Sequence, residues 1–241
     1  TAGTEVMRKG QVLTPARIGL AAALGMATLP VARRPTVAVF TTGDELVEPG
    51  LPLRPGQVYN SNRDLLMGLL RAEGLEPTAW PTLPDDPERM QAMLADAASA
   101  FDVVITSGGV SAGQKDHLPG LLGAHGRIAF WKVRMKPGMP VLFGDWDHAL
   151  FLCLPGNPVS TLATLLTLGR ALLDGLQGRD DPRPAWQAQR VLAPQVARRP
   201  WPGAQPVCSA SPWEGQRRSP PRRPPAAGCA AHADVRRRQA H

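Results

Sequence analysis

The segment FDVVITSGGVSAGQKD, residues 101–116, decides the fold. Its first seven residues form a short apolar run rich in β-branched side chains, the composition of a strand buried on both faces of a parallel sheet. The run passes into a glycine-rich loop and then into HLPGLLGAHG (117–126), a short helical stretch. Strand, tight loop and helix in that order make one unit of a β/α alternation. Glycines at 108, 109 and 113 let the backbone turn sharply and bring its N–H groups toward an anion, while Ser107 and Ser111 add hydroxyl donors. By itself the pattern fits a phosphate cradle or a plain tight turn. Asp116, at the far end, fits either a magnesium ligand or the N-cap of the next helix.

The alternation extends both ways. TVAVFTT (36–42) reads as a second buried strand. SNRDLLMGLLRAEG (61–74) reads as a helix, with Ser61 and Asp64 as a capping box, Leu65, Leu66, Leu69 and Leu70 on one face, and Gly74 as its stop. DPERMQAMLADAAS (86–99) is another, capped by Asp86 with Pro87 in the first turn. RIAFWKVRM (127–135), PVLFG (140–144) and ALFLCL (149–154) are expected strands, and PVSTLATLLTLGRALLDGLQG (158–178) a closing helix. The predicted fold class is α/β, a mostly parallel sheet with helices on both faces, over residues 35–178. Residues 1–34, with a helix at TPARIGLAAALG and a strand at ATLPV, read as the remnant of a preceding domain. Residues 179–199 read as the start of a C-terminal β domain.

Ligands in such sheets bind beyond the carboxyl ends of the strands. TTGDEL (41–46) places Gly43, Asp44 and Glu45 at one such exit, as a site or as a solvated acidic loop. Asp85 has no local role, because Asp86 already caps the helix. In FWKVRMKPGMP (130–140), Lys132, Arg134 and Lys136 alternate, so in a strand they would share one face, ready for an oxyanion or guarding an edge. LPGNPVS (154–160) ends a strand and opens a helix with Asn157 as cap and Pro158 in the first turn, a geometry that suits an anion or simply a cap.

Composition narrows the classes. The net charge of +7 lies wholly in residues 180–241, which carry 11 Arg against 4 acids, whereas residues 1–179 balance 16 cations with 16 acids. The ordered part therefore has no electrostatic footprint for nucleic acid. Residues 200–241, rich in Pro and Arg, read as a disordered or frame-shifted tail. Uninterrupted apolar runs stop short of the ~20 residues that span a bilayer. Cys153, Cys208 and Cys229 form no CxxC pair, which fits a reducing, cytoplasmic setting, and Cys153 in its apolar run reads as a buried small hydrophobe. The five histidines show no metal-ligand spacing.

TTGDEL, GQVYNSN (56–62), DDPE (85–88), SGGVSAGQKD (107–116), FWKVRMKPGMPVLFG (130–144) and LPGNPVS occur in the order and spacing of the molybdopterin molybdenumtransferases, whose animal relative is the C-terminal part of gephyrin. The resemblance implies a truncated member of that family. It implies insertion of molybdate into adenylylated molybdopterin with release of AMP, in molybdenum cofactor biosynthesis, with Mg2+ as cofactor. It implies Glu45, Asp85 and Asp116 as catalytic and metal-binding acids, and Lys132 and Lys136 as catalytic lysines. Thr42, Gly43, Asp44, Ser107, Gly108, Gly109, Ser111, Gly113, Pro137, Gly138, Pro155, Gly156, Asn157 and Pro158 would contact the substrate. The implied partners are molybdopterin adenylate, molybdate, the molybdopterin adenylyltransferase and, in the full-length protein, a second copy in a homodimer, with no nucleic acid or membrane. Two alternatives stay open: molybdopterin adenylyl transfer, and a non-catalytic scaffold of the gephyrin kind or an inactive fragment.

Overall fold

A computed structural model describes residues 3–111 and 116–182. Gly113, the expected β-domain start from residue 183 onward and the Pro/Arg-rich tail lie outside the described residues.

Six strands form one sheet in the order β4-β1-β5-β8-β7-β6. β1 (Val37–Thr41), β4 (Pro77–Ala79), β5 (Val103–Ser107) and β8 (Ala149–Leu154) run parallel. β7 (Leu142–Trp146) and β6 (Arg127–Trp131) continue it antiparallel. A separate parallel pair, β2 (Leu46–Val47) and β3 (Val58–Tyr59), lies in the loop after β1.

Every residue of β1 and β5 is buried, as expected of strands covered on both faces. Their side chains divide by the period of two. Ala38, Phe40, Val104, Phe151 and Cys153 meet Met90 and Leu94 of α3 (Pro87–Ala100) and Leu118 and Leu122 of α4 (Leu118–His125). Val37, Val39, Val103, Ile105, Leu152 and Leu154 meet Leu66, Met67 and Leu70 of α2 (Ser61–Ala72), together with Leu165 and Leu173 of the closing helix. That helix runs Pro158–Leu176 as α5 (Pro158–Thr164), a π segment (Leu165–Gly169) and α6 (Arg170–Leu176). It is long and apolar enough to cross a membrane by length and composition, but one face packs against β8 and α2. Gly169 permits that approach: a Cβ there would sit 2.6 Å from the Leu165 side chain and 3.1 Å from that of Leu152.

Several expectations change. The cap of α2 is the buried Asn60 rather than Ser61; its side chain accepts from Arg63 N–H and donates to Thr41 Oγ1 at 2.8 Å. Asn60 wins because one amide both caps the helix and satisfies the end of β1. α4 has His117 at its N-cap position, so Asp116 is not a helix cap. ATLPV forms no strand, since nothing pairs with it, and Val31 is exposed. The helix α1 (Pro15–Ala23) does form, with Thr14 as cap, but buries only Ala21. β6 stops at Trp131, because Lys132 is left-handed at φ 66 and turns the chain. Three short strands, β2, β3 and β4, had no alternating or apolar signature to reveal them.

Asp102 locks the start of the sheet. It receives both guanidinium arms of Arg33 at 2.9 and 2.7 Å and the Thr36 N–H and hydroxyl at 2.7 and 2.8 Å. These bonds, the Arg33 pair foremost, hold its carboxyl well below the usual carboxylate range against the opposing effect of burial. The folded state therefore gains stability above the unfolded value near ~3.9 and loses it as pH falls toward the depressed folded value. We expect Asp102→Asn to cost about 1 kcal/mol at pH 7, and thermal melts to show that deficit shrinking as pH drops from 5 toward 2. Cys153 is fully buried, and burial pushes its thiol up to about 12. Peptide mapping after iodoacetamide at pH 8 should find Cys153 alkylated only once denaturant is present.

Candidate functional site

The sheet reverses its order between β1 and β5: the chain leaves β1 toward α2 on one face and leaves β5 toward α4 on the other. Loops diverging from adjacent parallel strands leave a crevice beyond their carboxyl ends. A cleft of about 590 Å³ lies there. Its walls are the end of β1 (Thr41 to Gly43, Glu45), the approach to α2 (Val58 to Asn62) and Asp85. Ser107 to Ser111, Asp116, Pro140 and the β8–α5 turn (Pro155, Gly156, Pro158) complete it.

Close backbone contacts assemble it. Thr42 N–H donates to the Ser107 carbonyl at 3.0 Å, and Gly108 N–H to that of Leu154 at 3.0 Å, so three strand ends meet. Gly108 has φ +96, and a Cβ on it would collide with the Thr42 hydroxyl. Only glycine meets both demands. Asn62 ties three walls together: its amide nitrogen donates to Ser107 Oγ at 2.8 Å and to the Gly156 carbonyl at 2.7 Å. Ser107 Oγ in turn donates to the Pro155 carbonyl at 3.1 Å. Asn157 caps α5 by accepting from Val159 and Ser160 N–H, as its position predicted.

Of the expected acids, Glu45, Asp85 and Asp116 all line the cleft, with Glu45 exposed and the other two half-buried. The Glu45 carboxylate folds over Gly43, whose φ of +133 disfavours any side chain there. Asp44 does not line the cleft; its carboxylate accepts from the Asp85 backbone N–H at 3.3 Å and so positions that residue. Among the described residues, no three Asp, Glu, His or Cys side chains are close enough to hold a metal ion between them. The donor set is nevertheless all oxygen, the chemistry preferred by hard divalent cations such as magnesium, which commonly takes one or two carboxylates plus water and phosphate oxygens.

The basic segment departs from expectation. Lys132, Lys136, Pro137 and Gly138 are not part of the cleft lining. Lys132, Arg134 and Lys136 share no strand face, because the strand has already ended. The Lys132 N–H is held by the Val141 carbonyl at 2.8 Å, and its ammonium lies 4.5 Å from the centroid of the Trp131 ring. An exposed cation–π contact of this kind is worth roughly 0.5–1 kcal/mol. Thr42, Gly43, Ser107, Gly108, Gly109, Ser111, Pro155, Gly156 and Pro158 line the cleft. Leu46, Val58, Tyr59, Asn60, Ser61, Asn62 and Pro140 line it too; all fall within the quoted motifs but none was named as a site residue. The two asparagines flanking Ser61 at a helix start were the available signal.

Residues 38–175 match the family described as probable molybdopterin binding domain. A molybdopterin molybdenumtransferase of Haemophilus influenzae is 42% identical over 73% of this chain and 44% of its own length. A molybdopterin molybdenumtransferase 2 of Mycobacterium tuberculosis is 44% identical over 75% of this chain and 46% of its own. The chain thus spans less than half the length of these curated relatives. A crystal structure of a molybdopterin biosynthesis moeA protein from Pyrococcus horikoshii superposes with a TM-score of 0.62 at 32% identity, covering 72% of this chain and 43% of that one. With the family match extending from β1 into α6, the chain belongs to the molybdopterin-binding domain family.

Proposed function

We propose that this cleft binds molybdopterin activated as an adenylate, and that the protein to which the domain belongs inserts molybdate at the dithiolene sulfurs and releases AMP. The observation that carries the reading is the convergence in one cleft of Glu45, Asp85 and Asp116 with the Ser107–Ser111 backbone. Cleaving a phosphoanhydride builds charge on phosphate oxygens, and preorganised donors in a cleft stabilise that charge. The loop glycines and Ser107 and Ser111 would orient the phosphates. One or two of Glu45, Asp85 and Asp116, with water and phosphate oxygens, would hold magnesium, which would neutralise phosphate charge when bound. Lys132 and Lys136, outside the cleft lining, would meet molybdate or phosphate as it enters. The likeness to relatives named molybdenumtransferases supports this chemistry over adenylyl transfer. In the same reading the full-length protein is a cytoplasmic homodimer that takes its substrate from the molybdopterin adenylyltransferase.

The test supplies molybdopterin adenylate, molybdate and magnesium and measures AMP. We expect AMP release that EDTA abolishes and excess magnesium restores, and a decrease of about 100-fold in kcat for Glu45→Gln or Asp85→Asn. Adenylate formation from ATP and free molybdopterin, without AMP release from the adenylate, would sink the reading in favour of the sister reaction.

A further inference from the structure

Trp131, the last residue of β6, makes two contacts that the assignments above do not use. Its indole N–H donates to the Val110 carbonyl at 3.0 Å, and Val110 and Ser111 line the cleft. The face of the same ring holds the Lys132 ammonium at 4.5 Å from the centroid. One side chain therefore grips the glycine-rich loop with its edge and a cation with its face. Trp131 is 39% exposed and Lys132 is exposed, so the ammonium rests there without being enclosed. Lys132 is a non-glycine residue at φ 66, a conformation that persists only where surrounding contacts hold it; here the bond from its N–H to Val141 does so. The left-handed turn lets residue 132 fold its side chain back over residue 131 instead of continuing the strand. An exposed ammonium–indole contact is weaker than a charge-assisted bond from ammonium to an oxyanion, so a docked oxyanion outcompetes the ring.

We propose that Trp131 is a positioning residue for tetrahedral oxyanions at this cleft. Its N–H pins the loop at Val110, and its face keeps Lys132 beside that loop. The ammonium then transfers to the phosphate or molybdate that docks at Val110–Ser111. The inference rests on the anion-binding reading of the cleft and adds a residue to it.

Three variants separate the contacts. Trp131→Phe keeps an aromatic face and deletes the donor, Trp131→Leu deletes both, and Lys132→Gln deletes the charge. Each chain, checked for folding by circular dichroism, is titrated with AMP plus magnesium and, separately, with molybdate. Tryptophan emission is followed, and binding is measured independently by equilibrium dialysis. At least one anion should change wild-type emission, and the responding arm identifies phosphate or molybdate as the group that draws the ammonium away. The change should vanish in Lys132→Gln and Trp131→Phe, and Trp131→Leu should bind that anion about 3- to 10-fold more weakly. Binding by dialysis with unmoved wild-type emission, or an emission change that survives Lys132→Gln, overturns the positioning role and leaves the anion site standing. Absence of binding by either anion to the folded chain overturns both.

Discussion

The parallel pairing of β1 with β5 is the constraint on which the rest depends. Five consecutive residues of each strand are in register, from Val37 against Val103 to Thr41 against Ser107. Both strands are buried throughout, so a slip of one residue would exchange the two helix layers' contacts along the whole pair. The register brings Thr42 to the Ser107 carbonyl and leaves Gly108 against Thr42 with no space for a Cβ. The cleft is thus the end of a correctly paired sheet. Asn60 and Asn62 extend the same control to α2, since each bonds to a strand end or strand-end loop as well as sitting at the start of the helix.

The cleft lining and the basic segment after β6 differ in charge. The described residues lining the cleft include Glu45, Asp85 and Asp116 but no Lys or Arg. Carboxylates so placed repel a phosphate unless a cation intervenes, and a bound divalent ion reverses the local electrostatics. That is the physical reason for reading one or two of these acids as holders of magnesium. Lys132 and Lys136 stand outside that lining, and the contact of Lys132 with the Trp131 ring gives its ammonium a defined position.

Much of the architecture was legible in residue patterns. The apolar β-branched runs at 36–42 and 101–107 became β1 and β5, and ALFLCL became β8 with the same limits. Asp86, Asn157 and Gly74 signalled helix ends that form, because capping bonds reach only two or three residues and are therefore local. β4 was invisible, since Pro77–Ala79 is a strand only because β1 offers it an edge. The basic hairpin was misread for a related reason. Alternation of charge from Lys132 to Lys136 looks like a strand face, but the turn at Lys132 is set by its pairing with Val141 nine residues on.

The sequence by itself determined the β/α alternation, the burial of Cys153, the glycine-rich loop and the acids at the strand exits, because periodicity, capping and glycine content act over a few residues. Only the tertiary structure decided that those acids share one cleft, that Asn60 rather than Ser61 starts α2, that Asp44 supports Asp85, and that Lys132 and Lys136 stand outside the lining. These outcomes depend on which strands become neighbours and where their ends fall in register. That is a matter of packing between residues far apart in the chain, which no local pattern encodes.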